Sequence, residues 1–510
     1  MKTLKLIFSR FPLLLLSLSL QVAALSLVLL LYRQYFVWFE VAGILLSLLV
    51  ILHMLNRDTA PEFKLPWLMT LTVFPIFGAS LYVFLANPKL RRRQSRTLSE
   101  LESTRARYLE ASQEYRVAMH GTLGDYTGVE RYLNEAAYSH GFLNNRVAYY
   151  GEGNLFFDAL CRELEEAEHF IFLEYFIIEH GLLWQRIHEI LLRKHLAGVE
   201  VRILYDDLGT LGKLPAKYAK ELSAEGLSAR RFNRLRPVLS GIYNYRDHRK
   251  IAVIDGRVGF TGGMNIGDEY AGIAHPLGKW KDSGIRIEGA AVGNLTFLFL
   301  QLWESAGGAG EEDRGRYFAP IPTLDGTGGY VHAFGCGPAP FYRESVAENT
   351  FLNLIGAAKR RVYITTPYLI VDRSLTVALC NAARRGVDVR IITPHVPDKR
   401  IVFLLTRASY RSLLAAGVRI FEYTPGFIHA KQMLVDDEIA FVGTVNMDYR
   451  SLSHHFECGA ILCRTPALAD ISADFEGVLA VSQEICADTL RVNPISRLLA
   501  AALKIFSPLF

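Results

Sequence analysis

The chain has 510 residues, of which 51% are hydrophobic and 21% are charged, and its formal net charge is +5. This length excludes a single ordinary domain, whereas the charged fraction is normal for a soluble body. Because the net charge is small, it does not indicate which partners the protein binds. Local charge patterns have to indicate them.

Three apolar segments occupy the N-terminal region, at about 11–32, 36–55 and 66–86. The first has no charged residue and is long enough to cross a bilayer of about 30 Å. A cleaved signal peptide explains it poorly, because the apolar run is longer than such peptides use. Buried helices of a soluble protein do not account for three such runs in succession. We therefore predict N-terminal transmembrane helices and assign residues 1–87 to a membrane anchor.

A cluster of basic residues follows the third apolar segment directly: Lys89, Arg91, Arg92, Arg93 and Arg96. Positive charge beside a span favours the cytoplasmic side, so we expect the large C-terminal body in the cytoplasm. The same cluster is suited to anionic lipids. Residues 88–130 are predicted to form a basic, helical connector. Basic residues before the first segment favour the cytoplasm as well, and three full crossings cannot satisfy both ends. Whether segment 11–32 spans the membrane or lies in its interface stays open.

The rest of the chain repeats a strand, helix and strand pattern. The segments lie at 170–178, 181–196 and 198–206 in the first copy, and at 362–371, 374–385 and 386–394 in the second. The last strand begins G-V-E-V-R-I in one copy and G-V-D-V-R-I in the other. We therefore predict an α/β protein with two halves, 131–330 and 331–494, each a mostly parallel sheet flanked by helices. An apolar tail at 495–510 follows, and contact with the membrane or packing on the body both suit it.

Each half contains the same motif, His-x-Lys followed by an aspartate five residues after the lysine. The first copy is His248, Lys250 and Asp255, and the second is His429, Lys431 and Asp436. Asn265 and Asn446 follow at equal offsets, so the copies stay in register over eighteen positions. One His-x-Lys is common by chance, but two in register predict one active site built from two halves.

These residue types suit the cleavage of a phosphodiester. Histidine titrates near neutral pH and can act as a nucleophile or as a general acid and base. His and Lys two positions apart on a strand point to the same side, so two copies supply two imidazoles and two cations to one pocket. Asn265 and Asn446 add neutral donors for phosphate oxygens.

Each imidazole also needs a partner for its second ring nitrogen. Asp282 in W-K-D-S-G and Glu457 in H-F-E-C-G are the candidates, because they lie at similar distances downstream of the two motifs. Asp255 and Asp436 complete the catalytic motif, although they suit bracing of a loop better than contact with substrate. His454 and His455 have no counterpart in the first half and are interpreted as structural or surface residues.

Neither a metal nor a cofactor is expected. The six cysteines contain no C-x-x-C pair, which indicates free buried thiols in a reducing compartment. Lysine is not a usual metal ligand, and no carboxylate cluster has the spacing of a magnesium or zinc site.

The two motifs resemble those of the phospholipase D superfamily. The strings around them, 244–270 and 426–451, and the apolar segment P-W-L-M…F-P-I-F-G resemble bacterial cardiolipin synthases in particular. The resemblance implies that two phosphatidylglycerol molecules give cardiolipin and glycerol through a phosphatidyl-histidine, without nucleotide or metal. It implies His248 as the nucleophile and His429 as the acid and base, with both Lys and both Asn residues holding phosphate.

The same resemblance implies a multi-pass protein of the bacterial inner membrane that acts on membrane lipids and not on nucleic acid. Three alternatives stay open: a membrane-bound phospholipase D or nuclease that hydrolyses its substrate, a phosphatidyltransferase with another acceptor alcohol, and a non-catalytic membrane scaffold. Intact motifs in both halves argue against the scaffold.

Overall fold

The computed structural model describes residues 36–57, 59–85, 113–235, 244–308, 314–318, 329–339, 341–486, 488, 490 and 494–507, with a few isolated positions before residue 36. The basic cluster after the third apolar segment and nearly all of segment 11–32 lie outside these residues. The described residues fall into two compact units. The first takes those within 1–90, 235–244 and 501–509, and the second takes those within 91–234 and 245–500.

The first unit contains three helices, α1 (Phe36–Leu55), α2 (Pro61–Val73) and α3 (Pro75–Leu85). The apolar segment 66–86, predicted as a third span, is thus divided between α2 and α3. Pro75 has no backbone N–H and disfavours helical backbone at the preceding residue, so the helix breaks there. Gly78 allows α3 to pack against α2, since an added Cβ would lie 2.9 Å from the Thr70 carbonyl oxygen. Among the described residues, no helix combines the length and the apolar character needed to cross a membrane.

The described part of the second unit begins with α4 (Gln113–Leu123) and α5 (Thr127–Ala136). A seven-stranded sheet then contains the first motif, in the spatial order β1-β8-β6-β5-β2-β3-β4. Its strands are β1 (Arg146–Tyr150), β2 (Phe170–Tyr175), β3 (Glu200–Asp206), β4 (Ser228–Phe232), β5 (Lys250–Ile254), β6 (Val258–Gly262) and β8 (Gly284–Glu288). The helices of this half are α6 (Gly153–Glu166), α7 (Leu182–Leu196), α8 (Tyr218–Ala224) and α9 (Val292–Ser305).

An eight-stranded sheet contains the second motif, in the order β19-β13-β12-β10-β15-β16-β18-β9. Its strands are β9 (Tyr330–Cys336), β10 (Arg361–Thr365), β12 (Asp388–Pro394), β13 (Arg419–Tyr423), β15 (Gln432–Val435), β16 (Ile439–Gly443), β18 (Glu457–Cys463) and β19 (Ser482–Ile485). The helices are α10 (Val346–Ala357), α11 (Arg373–Arg384), α12 (Arg400–Leu414), α13 (Tyr449–Ser453) and α14 (Ala467–Ala480). A last helix, α15 (Pro494–Ile505), follows, and its residues from 501 on belong to the first unit. Two small parallel pairs complete the strands: β7 (Lys279–Lys281) with β14 (Gly426–Ile428), and β11 (Leu369–Ile370) with β17 (Met447–Asp448).

The α/β class and the two equivalent halves are confirmed, but the prediction of mostly parallel sheets is wrong. In the first sheet the parallel neighbours are β2 with β3 and β3 with β4, whereas β5, β6, β8 and β1 join through antiparallel pairs. The second sheet repeats this mixture. The strand, helix and strand repeats predicted the parallel part correctly. The strands after each motif are short and joined by turns, which makes antiparallel neighbours.

The two halves share one interior. Strand β6 of the first sheet packs against β16 and β18 of the second, and α9 packs on strands of both sheets. Helix α9 is buried on nearly all sides, from Val292 to Trp303, which is consistent with its apolar sequence. All six cysteines are free thiols, and only Cys486 is exposed. The two motif strands, β5 and β15, therefore belong to a single packed body.

Candidate active site

The two motif histidines lie where one half of the body joins the other. The backbone N–H of His248 donates to the carbonyl oxygen of Phe456 at 2.9 Å, and that of His429 donates to Lys281 at 2.7 Å. Each histidine is thus bonded to the residue that directly precedes the candidate carboxylate of the opposite half, Glu457 for His248 and Asp282 for His429. The join around His429 is the parallel pair of β7 with β14.

The side chains repeat this exchange between the halves. Nδ1 of His248 lies 2.8 and 2.9 Å from the carboxylate oxygens of Glu457, and Nδ1 of His429 lies 2.7 Å from Oδ2 of Asp282. Both carboxylates are therefore brought to the imidazoles, with each partner taken from the other half. A carboxylate oxygen accepts a hydrogen bond from Nδ1–H, so this arrangement leaves Nε2 of each ring with a lone pair.

Both imidazoles are buried, and burial together with neighbouring cations keeps them neutral. Burial and Lys431 lower the pKa of His429 to about 4. Burial, with Lys250 next in effect, lowers the pKa of His248 well below its usual range. At neutral pH each resting ring is a nucleophile or base rather than a cation.

The two carboxyl groups, Asp282 and Glu457, differ in how readily they ionise. Burial opposes ionisation of Asp282, but His429 and Lys431 outweigh it and leave the pKa of Asp282 below its usual value. Burial raises the pKa of Glu457 well above its usual value, and Lys250 offsets this only in part. The sites around the two histidines are thus unequal, because only the His429 side has a carboxylate that favours the ionised form.

The two lysines lie beside the imidazoles. Nζ of Lys250 donates to the carbonyl oxygen of His248 at 2.6 Å, and Lys431 makes the same bond to His429. Burial lowers the pKa of Lys250 to about 8 and that of Lys431 to about 7. Among the described residues neither ammonium group has a carboxylate within ion-pair distance, and a bound phosphate would supply a closer anion.

The two asparagines are not equivalent. Oδ1 of Asn265 accepts from the backbone N–H of Ile177 at 3.1 Å, and Nδ2 donates to the hydroxyl of Tyr270 at 2.9 Å. Tyr270 in turn packs edge-on against His429, with ring centroids 5.5 Å apart. The buried amide oxygen of Asn446 has no hydrogen-bond partner in the part of the chain that the structure describes. Asn265 thus positions an aromatic wall of the site, whereas Asn446 retains capacity for a ligand.

The motif aspartates lie at the other end of their strands and brace loops. Asp255 accepts backbone N–H groups from Glu168, His169 and Phe170 at 2.7 to 2.8 Å. Asp436 does the same for the loop before β10, with three backbone N–H groups at 2.7 to 2.9 Å. Both have a φ of 53°, in the left-handed region that aspartate tolerates better than most residues. These bonds support the interpretation of both aspartates as loop braces.

His455 lies in the site, contrary to its interpretation as a structural or surface residue. Its ring centroid is 5.6 Å from that of His248, and its Nδ1 lies 3.7 Å from Oε1 of Glu457. Trp280 is the counterpart of His455 in the first half, since the ring centroid of Trp280 is 5.6 Å from that of His429. Trp280 and His455 each come two residues before the carboxylate of their half, and this spacing was the signal in the sequence that could have identified His455.

Sequence reasoning also missed the buried ion pair that fixes the segment before His248. The guanidinium of Arg246 donates to Asp206 at distances of 2.7 to 3.1 Å, and both side chains are almost fully buried. Oδ2 of Asp206 also accepts the backbone N–H of Asp247 at 3.0 Å. This pair therefore attaches the end of β3 to the residues that lead into the first motif.

Known proteins share this sequence pattern over most of the chain. A family model described as "Cardiolipin synthase, PLD-like domain" matches residues 160–275 and 351–479, and one described as "Phospholipase_D-nuclease N-terminal" matches 45–87. A cardiolipin synthase of Alkalihalophilus pseudofirmus is 36% identical over 90% of this chain and 91% of its own length. Cardiolipin synthase 2 of Bacillus anthracis is 34% identical over 92% of this chain and 90% of its own.

An uncharacterized protein of Streptococcus mutans is 39% identical over 90% of this chain and 99% of its own length. Among solved structures, the phosphatidylserine synthase of Haemophilus influenzae matches with a TM-score of 0.58 at 14% identity, over 75% of this chain and 99% of that one. At that identity the match concerns the fold alone.

Proposed function

We propose that this chain, which belongs to the family of cardiolipin synthases with phospholipase D-like domains, joins two phosphatidylglycerol molecules into cardiolipin and glycerol. It is a phosphatidyltransferase of the phospholipase D type. The observation that carries the proposal is the exchange of carboxylates: two neutral imidazoles, each tied through Nδ1 to the opposite half, beside two buried lysines.

In the first step Nε2 of His248 attacks the phosphorus of one phosphatidylglycerol. An N–P bond forms, and the bond from phosphorus to the oxygen of the headgroup glycerol breaks. His429 donates a proton to that oxygen, and free glycerol leaves. The anionic phosphate offsets the lysine charge that lowers the pKa of His429, and Asp282 stabilises the imidazolium. His429 therefore enters the step protonated.

In the second step neutral His429 takes a proton from a glycerol hydroxyl of the second phosphatidylglycerol. The freed oxygen attacks phosphorus, the N–P bond breaks, and cardiolipin forms while His429 regains its proton. The unequal carboxylates support this division of roles. Asp282 favours its charged form and suits a partner that becomes a cation, whereas Glu457 favours its neutral form and suits a nucleophile that starts neutral.

The lysines and Asn446 are assigned to the phosphate. Lys250 and Lys431 are the nearest cations to the two imidazoles, and each needs only to exchange one carbonyl oxygen for a phosphate oxygen. The amide nitrogen of Asn446 is assigned to donate to a phosphate oxygen, whereas its unpartnered Oδ1 can only accept, as from a substrate hydroxyl. Asn265 contributes through Tyr270, which it holds against His429.

We assign the N-terminal region to the bacterial inner membrane, with the catalytic body on the cytoplasmic side. The uncharged segment 11–32 and the basic cluster after residue 88 support this location. Helix α1 adds support, since Trp38 and Leu49 are largely exposed. A transferase whose two substrates are both lipids gains from attachment to the bilayer, because the acceptor is then concentrated locally. Extraction of membranes at alkaline pH tests the assignment, since an integral protein stays in the pellet.

Product analysis of the purified full-length protein tests the reaction. Vesicles of phosphatidylglycerol should yield cardiolipin and glycerol in equal amounts with no metal or nucleotide added. Phosphatidic acid as the sole lipid product would instead identify a hydrolase. A product with phosphatidylethanolamine, when that lipid is also present, would identify a different acceptor. His429→Ala, which retains the fold-forming residues of β15, should abolish net synthesis.

A further inference from the structure

The His248 side of the site contains a second imidazole that the proposed reaction does not use. Both ring nitrogens of His455 are buried, and neither has a hydrogen-bond partner among the described residues. Burying polar nitrogens without a hydrogen-bond partner costs free energy, so two such nitrogens in an active site indicate that a ligand can bind there. On the His429 side the equivalent ring is Trp280, which offers no lone pair for a ligand.

Three ligand atoms come together around this ring. Oε1 of Glu457 lies 2.9 Å from Nδ1 of His248 and 3.7 Å from Nδ1 of His455. The potential ligand atoms of these three residues all lie within 4.8 Å of one another. Zinc bonds of about 2.0 to 2.1 Å in tetrahedral geometry separate two ligand atoms by about 3.3 Å. The two oxygen to nitrogen distances bracket that separation, so small side-chain shifts suffice to enclose an ion.

The hydrogen bonds around these atoms are compatible with metal binding. Neither ring nitrogen of His455 is used in a hydrogen bond among the described residues, so a lone pair is available to an ion. The hydroxyl of Thr444 donates to Oε2 of Glu457 and so holds the carboxylate, whose Oε1 lies near Nδ1 of both imidazoles. Such outer hydrogen bonds orient metal ligands in known sites. Two imidazole nitrogens and one carboxylate oxygen form a donor set that suits zinc.

We propose that His248, His455 and Glu457 form an inhibitory binding site for Zn²⁺. The ion takes the place of the proton between His248 and Glu457 and binds Nδ1 of His248. The single ring proton of His248 then resides on Nε2, so the lone pair needed to attack phosphorus is lost. Any proton on Glu457 leaves to solvent, and water completes the coordination. The ion is an inhibitor here and has no part in the transfer reaction.

Zinc binding to the full-length protein tests this site independently of the reaction. The protein is freed of metal with a chelator and titrated with Zn²⁺ in a calorimeter. We expect one tight equivalent for the natural protein and for His454→Gln, which changes the adjacent imidazole. His455→Phe should weaken binding by more than about a hundredfold, because it removes a direct ligand. His455→Gln provides a second variant if the phenylalanine impairs folding.

Inhibition and spectroscopy supply further outcomes. Zn²⁺ should inhibit cardiolipin formation, and the inhibitory concentration should rise by the same factor in His455→Phe. Co²⁺ in the natural protein should show the visible absorption of a tetrahedral site. Absence of saturable binding, or equal affinity in both His455 variants and the natural protein, would overturn the proposal. The inhibition assay rests on the proposed function, but the binding assay does not. If the protein binds zinc as expected and makes no cardiolipin, only the proposed function is refuted.

Discussion

Because each carboxylate contacts the histidine of the opposite half, we can predict which chemical step each carboxylate supports. Glu457 holds His248, the proposed nucleophile, although it lies in the second half of the chain. Asp282 holds His429, the proposed acid and base, although it lies in the first half. Replacing each acid by its amide keeps the shape but can present an NH2 group where an oxygen accepted the hydrogen bond from Nδ1–H. Glu457→Gln should therefore slow formation of the covalent intermediate, and Asp282→Asn should slow the proton transfers.

The size of the effect follows from the geometry. Each carboxylate makes a buried hydrogen bond of 2.7 to 2.9 Å to an imidazole. A hydrogen bond to a charged group contributes about 1.5 to 3 kcal/mol. Since about 1.4 kcal/mol changes a rate tenfold, loss of one bond slows its step roughly tenfold to 150-fold. An amide can also stabilise the wrong tautomer of the ring, which would enlarge the loss.

A donor lipid with a p-nitrophenyl headgroup separates the two steps, because that leaving group departs without a proton. Rapid mixing of such a donor with enzyme, read as the burst of p-nitrophenol, reports formation of the intermediate. Asp282→Asn should give a full burst at nearly the natural rate and then stall, whereas Glu457→Gln should give a slow burst. Thermal melts of both variants control for folding. A full burst in Glu457→Gln together with a slow one in Asp282→Asn would refute the assignment of roles.

Three further outcomes concern charge and stability. Because the pKa of Lys431 is about 7 in the free protein, kcat/KM should fall as pH rises above about 7. Lys431→Arg should move this fall to higher pH. An unchanged pH profile in the variant would contradict the phosphate-binding role of Lys431. Asp255→Ala removes an acceptor of three backbone N–H groups and should lower the free energy of unfolding by about 2 to 3 kcal/mol, measured by urea denaturation, while the folded fraction keeps its activity. Arg246→Met leaves the buried carboxylate of Asp206 without its partner and should cost about 3 to 5 kcal/mol, and a loss below about 1 kcal/mol would show that the pair is dispensable.

The sequence predicted what local repetition encodes. Two copies of His-x-Lys in register identified both imidazoles and both lysines, and the matching G-V-x-V-R-I strings located β3 and β12. The antiparallel strands after each motif were missed because short strands joined by turns lack the spacing of a strand, helix and strand unit. The break at Pro75 was missed because a proline inside an apolar segment is compatible with a kinked helix as well as with two helices.

Long-range pairing accounts for most of what the sequence could not provide. Asp282 and Glu457 were predicted as partners for the imidazoles, and each lies within hydrogen-bond distance of one, but spacing along the chain cannot reveal that each contacts the histidine of the opposite half. That exchange exists only once β7 pairs with β14 and Asp247 bridges to Phe456. His455 was set aside because it had no matching histidine, whereas its true counterpart is the tryptophan at the same position in the other half.

Mapping of the covalent intermediate tests the central claim most directly. His429→Ala is mixed with the p-nitrophenyl donor, quenched under alkaline conditions and digested, and the phosphatidyl-bearing peptide is identified by mass spectrometry. The account predicts the lipid phosphate on His248 and none on any other histidine. An adduct on another residue, or release of p-nitrophenol without any adduct, would contradict a single site in which His248 attacks and His429 transfers protons.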